Sequence, residues 1–76
     1  MPRVLKTLYS QDGTQRVLVV ERSDGHYSLR VEKRYQNIYE GRLVAEGWRP
    51  IPDAQSIFQS ADIAEREARL RFPWLS

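Results

Sequence analysis

The sequence predicts an α+β domain: an antiparallel meander of three to four strands followed by one C-terminal helix packed on one face. Three observations predict it. The stretch His26–Tyr35 alternates, with Tyr27, Leu29, Val31 and Tyr35 on one parity, broken by Lys33, and Ser28, Arg30, Glu32 and Arg34 on the other. A period of two sends successive side chains to opposite faces of a strand. Asp-Gly stands between strand-like runs twice, at Asp12-Gly13 and Asp24-Gly25, and that pair is a strong hairpin signal. From Ser60 to Phe72 neither glycine nor proline interrupts a helical pattern.

The 76 residues are expected to form one small domain over residues 1–76. A chain of this size buries about 60–65% of its unfolded surface. It has no cysteine, so neither disulfides nor thiolate metal sites can reinforce it. Stability must come from apolar packing, within one chain or with a partner subunit. No apolar run reaches the roughly 18–20 residues of a membrane span. The opening MPRVLKTLYSQDG does not read as a signal peptide, and the expected location is the cytoplasm. Twelve basic and ten acidic residues leave a net charge of +2. Dedicated nucleic-acid binders cluster positive charge more heavily.

The first strand is expected over residues 3–10, with apolar groups on both parities (Val4 and Leu8; Leu5 and Tyr9). The second covers residues 15–22, where Val17 to Val20 run unbroken and predict burial on both faces. Two-residue turns at the Asp-Gly pairs would set Val20 opposite Leu29, Leu18 opposite Val31 and Leu5 beside Val20. The inner face would then be Leu5, Leu18, Val20, Leu29 and Val31, edged by Tyr9 and Tyr27. A three-residue loop at Asp24 would place Ser28 opposite Val20 and Arg30 opposite Leu18. The three-residue loop is rejected because a one-residue slip of this kind flips a strand's side chains.

Residues 36–47 read either as a long hairpin loop or as the end of the third strand and the start of a fourth. Trp48 to Pro52 reads as an edge strand or its tail, since prolines cannot donate to a ladder. Residues 53–59 connect it to the helix. Ser60 is the expected N-cap, and Ala61, Ala64, Ala68 and Phe72 form an apolar stripe that permits close approach to the sheet. Asp62–Arg66, Glu65–Arg69 and Glu67–Arg71 are acid-before-base pairs at i, i+4. Trp48 and Trp74 are expected to be at least half buried, with the tail Phe72–Leu75 folded back on the sheet or on a neighbouring chain.

The run Ser60-Ala61-Asp62-Ile63-Ala64-Glu65-Arg66-Glu67-Ala68-Arg69, followed by Pro73-Trp74-Leu75, resembles the C-terminus of short uncharacterised bacterial proteins with a β-meander. Asp24-Gly25 and Trp48-Arg49-Pro50 match their upstream elements. The resemblance covers about half the chain. It implies this order of elements and no chemistry.

No catalytic constellation stands out, and an enzyme is not expected. Gly41 to Gly47 lacks the Gly-Lys-Ser/Thr end of a phosphate loop. His26 is the only histidine, and neither an orienting carboxylate nor a nucleophile is spaced to use it. Asp12, Asp24 and Asp53 fit turn chemistry, so no metal and no cofactor is expected. Two surfaces stand out. Val4, Leu8, Val17 and Val19 form an outer apolar patch, to be covered by Trp74 and the tail, by residues 36–47, or by another chain. Arg30 and Arg34 share the third strand's charged face, with Arg49 as a candidate third cation. The expected function is a small non-catalytic interaction module, a homodimer or other protein partner engaging the first two strands. The alternative is a single-stranded nucleic-acid-binding protein using Arg30, Arg34 and Arg49.

Overall fold

Alternation, turns and capping produce four strands and a helix in a computed structural model that describes residues 2–51 and 57–75. They are β1 (Arg3–Tyr9), β2 (Gln15–Glu21), β3 (Tyr27–Tyr39), β4 (Arg42–Ile51) and α1 (Ala61–Arg71). The strands form one antiparallel sheet in the order β1-β2-β3-β4. The α+β meander is therefore as the sequence predicts, with four strands. Asp53 lies outside the described residues. No described helix is long and apolar enough to cross a membrane.

The register across the second turn is the one the apolar pattern argued against. Val20 pairs with Ser28 and Leu18 with Arg30, while Val17 meets Val31 and Val19 meets Leu29. The turn chemistry explains this. A two-residue I′ turn needs positive φ at both central positions, yet Glu40 is the only described non-glycine residue with positive φ. Asp24 instead accepts a hydrogen bond from the His26 amide at 3.0 Å. Arg22 and His26 close a three-residue loop, with Gly25 at φ 84°. At the first turn Asp12 accepts from the Thr14 amide and from the Ser10 and Thr14 hydroxyls. The pairing of Leu8 with Val17 there is the one a two-residue turn would give, but a bulge at Leu5 shifts the strand beyond it.

The helix consequently covers the opposite face of β2 from the one expected. Its core is Leu8, Val17, Val31 and Ala68, with Leu29, Ile51, Phe72, Trp74 and Leu75 packed against it. Val19 and Ala64 are also fully buried. Leu18 and Val20 are buried on the far face, so β2 is covered on both sides, as its unbroken apolar run predicts. The Ser60 hydroxyl accepts from the Ile63 amide at 3.2 Å and caps α1. Glu65–Arg69 and Glu67–Arg71 form at 3.3 and 3.2 Å. Lys6 on β1 reaches across the helix side to Glu65 at 2.8 Å.

Residues 36–47 continue the ladder. β3 runs 13 residues and β4 follows it back through a two-residue turn, Glu40 (φ 51°) and Gly41 (φ 77°). β2 accompanies β3 only as far as Lys33, opposite Gln15. Beyond that point β3 and β4 form a two-stranded arm. The molecule is accordingly 48 Å long, with a radius of gyration of 14.1 Å, against about 11 Å for a rounded chain of this length.

Candidate functional site

The arm is the feature that the core does not require. Tyr27 exchanges two backbone hydrogen bonds with Phe58 on the β4 side of β3, and the Arg34 amide donates to Thr14 on the β2 side. Odd residues of β3 therefore bond toward β4 and even ones toward β2. Past Arg34 the β2 side has no described strand, so Gln36 and Ile38 present an open edge. Among the described residues the outer edge of β4 is open too, down to Pro50, whose nitrogen faces outward opposite Glu32 and cannot donate. Near the turn Ile38 (66% exposed), Tyr39 (68%), Leu43 (53%) and Val44 (62%) are solvent-facing. Ile38 pairs with Leu43 and Tyr39 with Arg42, and Val44 is the extra residue of a bulge.

The two faces of the arm differ in charge. The face continuous with the far side of the sheet carries Glu32, Arg34, Trp48, Glu46 and the Ile38–Leu43 pair. Arg34 and Glu46 are joined there at 3.2 Å. At its base the Arg16 Nη2 lies 2.6 Å from Glu32 Oε1, and the Arg16 guanidinium stacks on Trp48, beside Tyr9. The helix-side face carries the rows Lys33 with Arg49, Tyr35 with Gly47, Asn37 with Ala45 and Tyr39 with Arg42. Arg49 sits over the Tyr35 ring, 5.0 Å from its centroid. A Cβ at position 47 would meet Tyr35 Cε1 at 3.1 Å, so the glycine lets the ring lie across β4.

This arrangement divides the expected nucleic-acid residues. Arg30 and Arg34 lie on the far face, as alternation predicts. Arg49 does not join them: it stands opposite Lys33 on the helix side, because the odd residues of β4 pair with the odd residues of β3. The expected interface patch is also corrected. Leu8, Val17 and Val19 are buried beneath α1, and Trp74 and Leu75 of the tail pack against that core. Coverage comes from within the chain, and only Val4 of the four patch residues is exposed. Trp48 and Trp74 are both more than half buried.

The polar turns have structural work. Hydrogen bonds from the Ser10 hydroxyl and then from Thr14 hold the Asp12 carboxyl at about 2, well below its ordinary value. The His26 amide lowers Asp24 in the same direction, helped by the Arg22 charge. His26 Nδ1 lies 3.5 Å from Asp24, a carboxylate that spacing in the sequence did not indicate. A shallow depression lined by Ser10, Gln11, Asp12, Gln15 and Trp74 holds one carboxylate, already hydrogen-bonded. No cluster of potential metal ligands occurs among the described residues.

The sequence reading missed the arm as a surface. Two signals were present: Glu40-Gly41 between Ile38-Tyr39 and Leu43-Val44, and Lys33, Tyr35, Asn37 and Tyr39 on one parity. Comparison with family models, with curated proteins and with solved structures found no match.

Proposed function

We propose that the protein is a small non-catalytic interaction module that works through the β3–β4 arm, with a second copy of the chain as its partner. The observation that carries this reading is the Ile38–Leu43 pair, exposed beside Val44 on a ribbon whose two edges are open among the described residues. Contiguous apolar patches are uncommon on monomers, and a two-stranded ribbon is marginal alone in water. The rim carries both signs, in Arg34, Glu40 and Glu46. A copy related by a two-fold axis would present the same patch and can set opposite charges against each other.

Sedimentation equilibrium tests it. The wild-type chain is expected to exceed monomer mass as concentration rises, and Ile38→Ser/Leu43→Ser to remain a monomer with an unchanged circular dichroism spectrum. A wild-type chain that stays monomeric at millimolar concentration, or a variant that associates equally well, overturns the reading.

A further inference from the structure

We propose that the helix-side face of the arm binds single-stranded nucleic acid. This face is the reverse of the one carrying Ile38 and Leu43, and the inference stands independently of self-association.

Lys33 and Arg49 are directly opposite each other in the ladder. Like charges so placed destabilise a sheet, and none of the four rows of this face contains a carboxylate to offset them. The acids of β3 and β4 are on the other side, where Glu32 pairs with Arg16 and Glu46 with Arg34. Among the described residues no carboxylate pairs with Lys33, Arg42 or Arg49, so a near-neutral chain keeps a cationic face there. Arg42 adds a third cation at the far end, opposite Tyr39. From Lys33 to Tyr39 the face spans about 20 Å, at roughly 3.3 Å per residue.

The rings decide the ligand class. Tyr35 lies across Gly47 with Arg49 stacked on it, and Tyr39 stands two rows further on, 68% exposed. Aromatic and guanidinium planes between cations are what an unpaired strand uses: phosphates meet the charges and bases stack on the planes. A duplex hides its base faces and would use only the charges.

An NMR titration of labelled protein at low salt tests this, using a ten-nucleotide mixed-sequence single strand, the matching duplex and polyphosphate as probes. Shifts are expected at Lys33, Tyr35, Tyr39, Arg42 and Arg49 with the single strand, reversed by salt. Lys33→Ala/Arg49→Ala and, separately, Tyr39→Ala should each weaken binding about tenfold or more. Arg30→Ala/Arg34→Ala should change it less than about twofold. The melting temperature of Lys33→Ala/Arg49→Ala should not fall, which a purely structural role for these cations would not allow. Ile38→Ser/Leu43→Ser should still bind, whether or not the wild type self-associates. Absence of binding at low salt, a response centred on Arg30 and Arg34, equal affinity for polyphosphate, or tighter binding of the duplex would each overturn the proposal.

Discussion

The Arg16 guanidinium lies 4.1 Å from the centroid of the Trp48 ring. β2 and β4 are not neighbours, so this contact bridges β3. Below it Arg16 donates to Glu32 of β3 at 2.7 Å, and Tyr9 of β1 stacks at a tilt on Trp48, 6.2 Å between centroids. One side chain from each strand thus meets in a row across the far face. The row lies where β3 and β4 leave the rest of the sheet, and it ties the base of the arm to the body.

Removing the acid from that row should be costly. Glu32 is buried, and its loss would leave the largely covered Arg16 charge without its partner. Glu32→Ala is expected to lower stability by about 2 kcal/mol in urea denaturation. Glu21→Ala breaks the Arg3–Glu21 pair, which is 3.3 Å long and exposed, and should cost less than about 0.5 kcal/mol. Equal effects from the two would mean that Arg16 finds compensation in the Trp48 ring alone.

The contrast between Glu32 and the rest of the chain shows what could be read in advance. Alternation over Tyr27–Tyr35, the unbroken run Val17–Val20 and the Ser60 cap were legible, because each is a local pattern with one structural solution. The choice of face on β2 was not. Apolar residues on both parities make the two registers nearly equal in burial, and the decision falls to whether Asp24 adopts positive φ or bonds the His26 amide. The arm was legible only in part, since Glu40-Gly41 is a weaker turn signal than Asn-Gly or Asp-Gly. The grouping of Lys33 with Arg49 needed the β3–β4 register, which that unrecognised turn sets.

Glu40 offers a direct test of that turn. It holds φ 51°, a conformation that an L residue with a long side chain adopts at a penalty and that asparagine tolerates better. Glu40→Asn should raise stability by roughly 0.5–1 kcal/mol and sharpen amide protection along Gln36–Glu46. An unchanged melting temperature together with unchanged exchange would show that the turn does not limit the order of the arm.

The Asp12 turn predicts a response to acid. Its carboxyl is held at about 2, against an ordinary 3.8. A depressed folded value means that the unfolded chain takes up the proton first as pH falls. The stabilisation is therefore complete above about pH 4 and lost as pH falls toward about 2. Asp12→Asn should melt lower than wild type at neutral pH and lose less stability across that window. Parallel melting curves for the two proteins between pH 5 and 2, taken at about half-unit steps, would show that the turn is not linked to folding.

The corrected core face makes the sharpest demand. Val17 is wholly buried between Leu8, Val31 and Ala68. Val17→Ala removes two methyl groups and leaves a gap that α1 cannot close without displacing Ala68. The expected loss is about 2 kcal/mol. Val4, expected from the sequence in the same patch but 49% exposed, should lose less than about 0.5 kcal/mol on Val4→Ala. Ala68→Leu tests the same contact from the helix side: Ala68 is wholly buried in this core, and overpacking should cost about 1–3 kcal/mol. If Val17→Ala and Ala68→Leu were instead combined, the added leucine would occupy part of the space the valine vacates. The double variant should then recover part of the summed loss, a coupling expected of residues that share a contact or a cavity. Strict additivity in urea denaturation would mean that the helix does not rest on the Val17 face.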